Sequence, residues 1–156
     1  MKSTTRLAAG LLLAGLMAIP AKAGGEVDAN DVVFNEDGEV AVALTAEPGN
    51  AERGREWFQN RKLGNCLACH QNDDLAEQPF HGEVGPELNG VADRYSQAAL
   101  RGIVVNSKIA LSEETMMPSF YRKTNGARTA KDFKDKSILT AQQVEDVVAY
   151  LLTLKE

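Results

Sequence analysis

Three side chains able to make or hold bonds crowd into one short stretch, Gly64-Asn65-Cys66-Leu67-Ala68-Cys69-His70. The chain has two cysteines and two histidines in 156 residues, so each role open to Cys66 and Cys69 can be tested by counting ligands. A structural zinc site takes four tetrahedral ligands, commonly two Cys and two His spaced three to five residues apart. Here His70 adjoins the second Cys and His81 lies eleven residues further on. Adjacent residues do not readily reach one small ion, which disfavours zinc. A dithiol of the thioredoxin kind sits at a helix N-terminus within a βαβ pattern, and no such alternation surrounds Cys66. A structural disulfide would close a loop of four residues and remove little chain entropy.

The remaining chemistry uses all three residues together. On a helical turn, positions i, i+3 and i+4 share one face. Cys66 and Cys69 can then each form a thioether to a haem vinyl group, with His70 rising to the iron. This is c-type haem attachment, and it predicts one covalent haem c. For the other axial position the methionines are the candidates. Met116 and Met117 stand side by side in "ETMMPSF". Successive side chains point in different directions, so one of them can ligate. Pro118 biases the residue before it toward an extended backbone, which selects Met117 and leaves Met116 as a packing residue. A thioether ligand raises the reduction potential relative to a second nitrogen ligand.

The N-terminus reads as an export signal. Lys2 and Arg6 precede an apolar run of thirteen residues, Leu7 to Ile19, followed by Pro20 and the small-residue site Ala21-Lys22-Ala23. The run is shorter than the roughly 20 residues of a spanning helix, so no membrane anchor is expected in the mature chain. Cleavage after Ala23 leaves 133 of the 156 residues, with 14 of the 17 basic residues against all 22 acidic ones, a net charge of −8. Such a chain is a poor match for nucleic acid or anionic lipid. Export also agrees with the haem reading, because c-type attachment in bacteria takes place outside the cytoplasm.

The elements that must position these residues are helical. "AERGREWFQN" (51–60) sets Gly54 and Phe58 four apart, a notch followed by a ring on one face. Thr140-Ala-Gln-Gln143 forms a capping box. Behind it Val144, Val147, Val148, Leu151 and Leu152 make one apolar stripe on a C-terminal helix.

"CLACH", "GPELNGVADR", "MMPSF" and "VEDVVAYLLTL" in this order resemble the class I cytochromes c. The resemblance implies an all-α class I cytochrome c fold around one covalent haem. It also implies terminal helices crossing at Gly54, Phe58, Val147 and Tyr150, and a Pro86 carbonyl accepting the proximal His70 N–H. His81, the remaining rival for the distal position, falls on the stretch that passes along the proximal side, and is expected to be an ordinary surface residue or a local hydrogen-bond donor.

A narrower resemblance covers almost the whole mature chain. "ALTAEPGNAERGR", "GPELNGVADRYSQAALRGIVVNSK", "TMMPSFYR" and "ILTAQQVEDVVAYLLTLK" are similar to the SoxX family, monohaem subunits of the periplasmic SoxAX complex of thiosulfate oxidation. This resemblance implies a SoxA-like monohaem or dihaem partner carrying the catalytic haem, and a SoxYZ carrier whose cysteine is oxidatively joined to thiosulfate. It further implies an electron-accepting cytochrome c downstream. His70 and Met117 leave no open coordination position, and no nucleophile and base pair is recognisable elsewhere, so the chain itself is read as an electron carrier without catalytic residues. A free periplasmic cytochrome c shuttling to an oxidase or reductase, and a stabilising subunit that uses haem as its core, stand beside that reading.

The expected organisation is a signal peptide over 1–23, an N-terminal extension over 24–50 and a cytochrome c domain over 51–156. In the extension, "DVVFNEDGEVAVALT" places β-prone runs on either side of Asp37-Gly38, which predicts a short β-hairpin. A lone hairpin is marginally stable, so it is expected to dock partly on the helices and partly on a partner. From Tyr121 to Ser137, Arg122, Lys123, Arg128, Lys131, Lys134 and Lys136 outnumber Asp132 and Asp135 by four. This is either a solvated loop or a patch steering an acidic partner or an anion such as thiosulfate.

Overall fold

The computed structural model describes residues 25–123 and 128–156; the signal peptide expected over 1–23 lies outside the described residues. Among the described residues four helices, α1 (Ala51–Gln59), α2 (Val91–Arg94), α3 (Gln97–Ala110) and α4 (Ala141–Leu151), are joined by loops and by short 3-10 turns at Cys66–Ala68, Asp73–Leu75 and Lys131–Phe133. Among the described residues no helix is long and apolar enough to cross a membrane.

Each long helix starts where its sequence supplies an oxygen for the unpaired N–H groups of the first turn. Asn50 accepts from Arg53 N–H at the start of α1, and Ser96 accepts from Ala99 N–H at the start of α3. At α4 the expected capping box is complete, with Thr140 and Gln143 bonded in both directions. The apolar stripe on α4 is also as expected: Val144, Val147, Val148 and Leu151 are buried, and Leu152 is half-buried.

α1 and α4 cross at contact distance because Gly54 has no side chain. A Cβ there would lie 1.9 Å from the Asp146 carbonyl oxygen and 2.8 Å from the Tyr150 Cβ. The crossing brings Phe58 and Tyr150 into an edge-to-face pair, centroids 5.5 Å apart and planes at 65°. Such a pair is worth about 0.5–1.5 kcal/mol beyond its buried area.

The extension differs from the expected hairpin. Its turn is present: Asn35 N–H bonds the Glu39 carbonyl and Gly38 N–H bonds the Asn35 carbonyl, at 3.0 and 3.1 Å. The flanking runs do not pair into strands. Val40 N–H instead donates to the Ala98 carbonyl of α3, laying that arm on the helix, while Val27 N–H donates to the Leu44 carbonyl and ties the two ends of the segment to each other. The alternation in the sequence therefore faces a helix surface. Val40 and Leu44 enter the core at 2 % and 1 % exposure, while Val33 and Val42 stay exposed. The Tyr121 hydroxyl fastens the start of the extension by donating to the Val27 carbonyl at 2.7 Å. Burial beside Glu26 pushes that hydroxyl's pKa up to about 12.

Candidate haem-attachment site

The attachment stretch is a single tight turn. Asn65 takes a left-handed conformation (φ 47°) to enter the Cys66–Ala68 turn. Cys69 N–H and His70 N–H then both bond the Cys66 carbonyl, at 3.1 and 3.0 Å. This places Cys66, Cys69 and His70 in successive bonds of one turn, as their spacing predicts. The cysteines are not joined to each other. Burial pushes the Cys66 thiol up to about 12, so the free thiolate that dithiol exchange would need is disfavoured. Among the described residues no three His, Cys, Asp or Glu side chains come together to hold a metal ion.

The imidazole of His70 is held from two sides. Its Nδ1 lies 2.6 Å from the Pro86 carbonyl oxygen. A carbonyl can only accept, so Nδ1 carries the proton and Nε2 presents its lone pair. A Cβ at Gly85 would lie 2.4 Å from His70 Cε1 and 2.8 Å from Nε2, so the glycine backbone lies close against the ring. The loop that supplies both contacts is pinned to the attachment turn by Gly82 N–H to the Leu67 carbonyl and Gly85 N–H to the Cys69 carbonyl, 2.8 and 2.7 Å. A protonated, backbone-held Nδ1 beside two uncrosslinked cysteines fits the chemistry of haem c. Cys66 and Cys69 would supply the thioethers and His70 Nε2 the axial nitrogen.

The two methionines separate, but Met116 is not the packing residue expected: Pro118 and the kinked loop leave its side chain facing outward. Met117 packs against the hydrophobic core, whereas Met116 is 83 % exposed. His81 is occupied locally. Its Nδ1 accepts from Asn72 N–H at 3.3 Å, and its Nε2 therefore carries the proton and donates to the Leu75 carbonyl at 3.1 Å.

Around this centre stands a set of buried polar groups that the sequence reading passed over. Asn72, fully buried, donates to the Tyr150 hydroxyl at 2.9 Å, and that hydroxyl donates to Asp74 at 2.7 Å. The bond to Tyr150, with others from Arg55, holds the Asp74 carboxyl below its usual pKa even though burial opposes this. Burial, reinforced by Asp74, raises the Tyr150 hydroxyl, so the phenol stays protonated and keeps donating. The available signal was Asn72 itself, a polar residue between the attachment turn and apolar Leu75. On α4, Glu145 and Asp146 interrupt the valine stripe, which signals partners. Those partners are Arg101, itself buried, and the half-exposed Arg53.

The family model for cytochrome c matches residues 51–155. The chain resembles the crystal structure of SoxXA from P. pantotrophus with 43 % identity, over 85 % of this chain and 100 % of that one, at a TM-score of 0.78. Ferric cytochrome c-550 from Paracoccus versutus aligns at 24 % identity over 69 % of this chain and 99 % of its own, at a TM-score of 0.39. No curated protein matches. A turn built to attach haem c, an imidazole held with one nitrogen free, the family-model match and the likeness to SoxXA converge: the chain belongs to the cytochrome c family, in its SoxX branch, and carries covalent haem c.

Proposed function

We propose that the protein is the electron-relay subunit of a periplasmic thiosulfate-oxidising complex of the SoxAX kind. The observation that carries this reading is the 43 % identity to the SoxXA structure, which extends over all of that chain. The extension's integration into the core through Val40 and Leu44 supports it, because that segment lies outside the residues the general cytochrome c model matches.

Haem c, when bound, supplies a one-electron couple. The chain's own residues prepare the site for it. Cys66 and Cys69 would hold the group covalently, and His70 and Met117 would supply the nitrogen and the sulfur that hold its iron. The Pro86 carbonyl keeps His70 Nδ1 protonated and so fixes which nitrogen binds; a bond of this type also increases the ligand's basicity. With His70 and Met117 both holding the iron, thiosulfate would have no place to coordinate. Joining thiosulfate to a carrier cysteine of SoxYZ would then fall to a SoxA-like partner, and this subunit would pass the two electrons singly to another cytochrome c. The basic residues between Tyr121 and Ser137 would steer an acidic partner or the anion.

The test is gentle purification from the native periplasm, with mass and haem content measured on what co-purifies. A stoichiometric complex with a second haem protein, in which the haem of this subunit becomes reduced on addition of thiosulfate and carrier, supports the relay. A lone monohaem protein that thiosulfate and carrier leave oxidised refutes it and favours a free electron shuttle.

A further inference from the structure

Three consecutive residues inside α3 each reach a different residue of the loop that carries Met117. Asn106 leaves helical geometry (φ −149°, ψ 87°) in the middle of the helix. Its side-chain oxygen accepts from Lys108 N–H at 3.2 Å, acting as an internal N-cap for the second half of α3. The same oxygen accepts from the Ser119 hydroxyl at 2.7 Å. Ser107 is fully buried and donates its hydroxyl to the Met117 carbonyl at 2.6 Å. The Lys108 ammonium donates to the Thr115 carbonyl. Positions 106, 107 and 108 thus pair with 119, 117 and 115 in descending order. Just before the kink, the Val104 and Val105 carbonyls accept from Phe120 and Tyr121 N–H, both at 3.1 Å. An uninterrupted helix would spend those two carbonyls on its own ladder, so the break at Asn106 is what lets the loop dock.

We propose that Asn106, Ser107 and Lys108 form a clamp that positions Met117 as the distal ligand, with the Ser107 hydroxyl at its centre. This rests on the assignment of Met117 given above. A thioether is a neutral, soft ligand without a charge to draw it to the iron, so its residence depends on how tightly its loop is confined. Ser107 acts on the ligating residue itself, through its carbonyl, while Asn106 and Lys108 hold the loop two residues to either side. All three are positioning residues, since none reaches the iron.

The test measures how fast imidazole displaces the sulfur ligand in the ferric holoprotein, followed through the loss of the sulfur-to-iron absorption at the red end of the spectrum. Ser107→Ala should raise the displacement rate about fivefold, the factor that loss of one net hydrogen bond corresponds to. Lys108→Met, which keeps the apolar stem, should act in the same direction. Val148→Ala, a buried change on α4, lowers stability without touching the loop and should leave the rate at its wild-type value. Wild-type rates in both Ser107→Ala and Lys108→Met would overturn the clamp, and so would an equal acceleration in Val148→Ala, which would reduce Ser107 to general stability. Met117→Ala separates the premise: persistence of the red band in that variant would show that Met117 is not the ligand and would overturn the proposal there, whereas its loss combined with unaltered displacement in Ser107→Ala would refute the clamp alone.

Discussion

Arg101 and Glu145 meet inside the protein as a two-pronged ion pair, Nε to Oε1 at 2.8 Å and the outer guanidinium nitrogen to Oε2 at 3.0 Å, each side chain 4 % exposed. The pair joins α3 to α4 and also holds the extension. Arg101 donates to the Val40 carbonyl at 2.8 Å, and Glu145 Oε1 accepts from Leu44 N–H at 2.8 Å. Every polar atom of the pair that faces the interior is used, the condition under which a buried ion pair is tolerated.

Removing one partner leaves the other as an uncompensated buried charge, which costs about 3–5 kcal/mol. Glu145→Ala should therefore destabilise the holoprotein by about that much in urea unfolding, and the segment around Leu44 should become the first site of protease cleavage. A variant that unfolds close to the wild-type midpoint with the extension still protected would contradict this account.

Asp146 predicts a pH dependence. Burial alone would raise its pKa, but hydrogen bonds from Arg53, Asn50, Gln142 and Trp57 hold it below the ordinary carboxylate value. A group whose folded pKa is depressed stabilises the protein above its unfolded value of about 4, and loses that contribution as the pH falls through the folded value. The stability gap between wild type and Asp146→Asn should stay constant above about pH 5 and narrow progressively below about pH 4. A gap independent of pH over that range would remove Asp146 as a source of acid sensitivity.

Gly54→Ala sets two effects of opposite sign against each other. Alanine favours the helix by about 1 kcal/mol over glycine. The new Cβ would sit 1.9 Å from a backbone oxygen of α4, which no rotamer change relieves, and overpacking of this kind costs about 1–3 kcal/mol. Overpacking should win, and the thermal midpoint should fall. A rise would mean that the two helices can slide apart at little cost.

Gly85→Ala addresses the imidazole directly. The added methyl group would press on His70 Cε1 from 2.4 Å and push Nδ1 away from the Pro86 carbonyl. Weakening that bond lowers the basicity of the ligand, which favours the reduced state, so the reduction potential should rise. Spectroelectrochemistry of the intact holoprotein checks the sign, and an unchanged or lower potential would show that the Pro86 bond survives the substitution.

What could be read in the sequence was local. The attachment turn, the capping box at Thr140 and the valine stripe of α4 each depend on residues within a few positions of one another, and each took the expected form. The Asp37-Gly38 turn was also legible, but whether its flanks pair with each other or lie on a helix depends on Ala98, some sixty positions downstream. Arg101 and Glu145 carry no local sign that they belong together. The kink at Asn106 escapes notice for a related reason: the segments on either side are ordinary helix, and the break makes sense only once the Met117 loop is seen to occupy the carbonyls it exposes.

The extension's bonds to α4 link residues about as far apart as the chain allows, Leu44 with Glu145 across 101 positions and Asn50 with Asp146 across 96. Contacts of such long sequence separation form slowly and late in folding. In synthesis order, the extension appears before α4 and cannot complete its bonds to that helix until the end of the chain has followed it. The seam between the extension and α4 is therefore among the last parts of the fold to close.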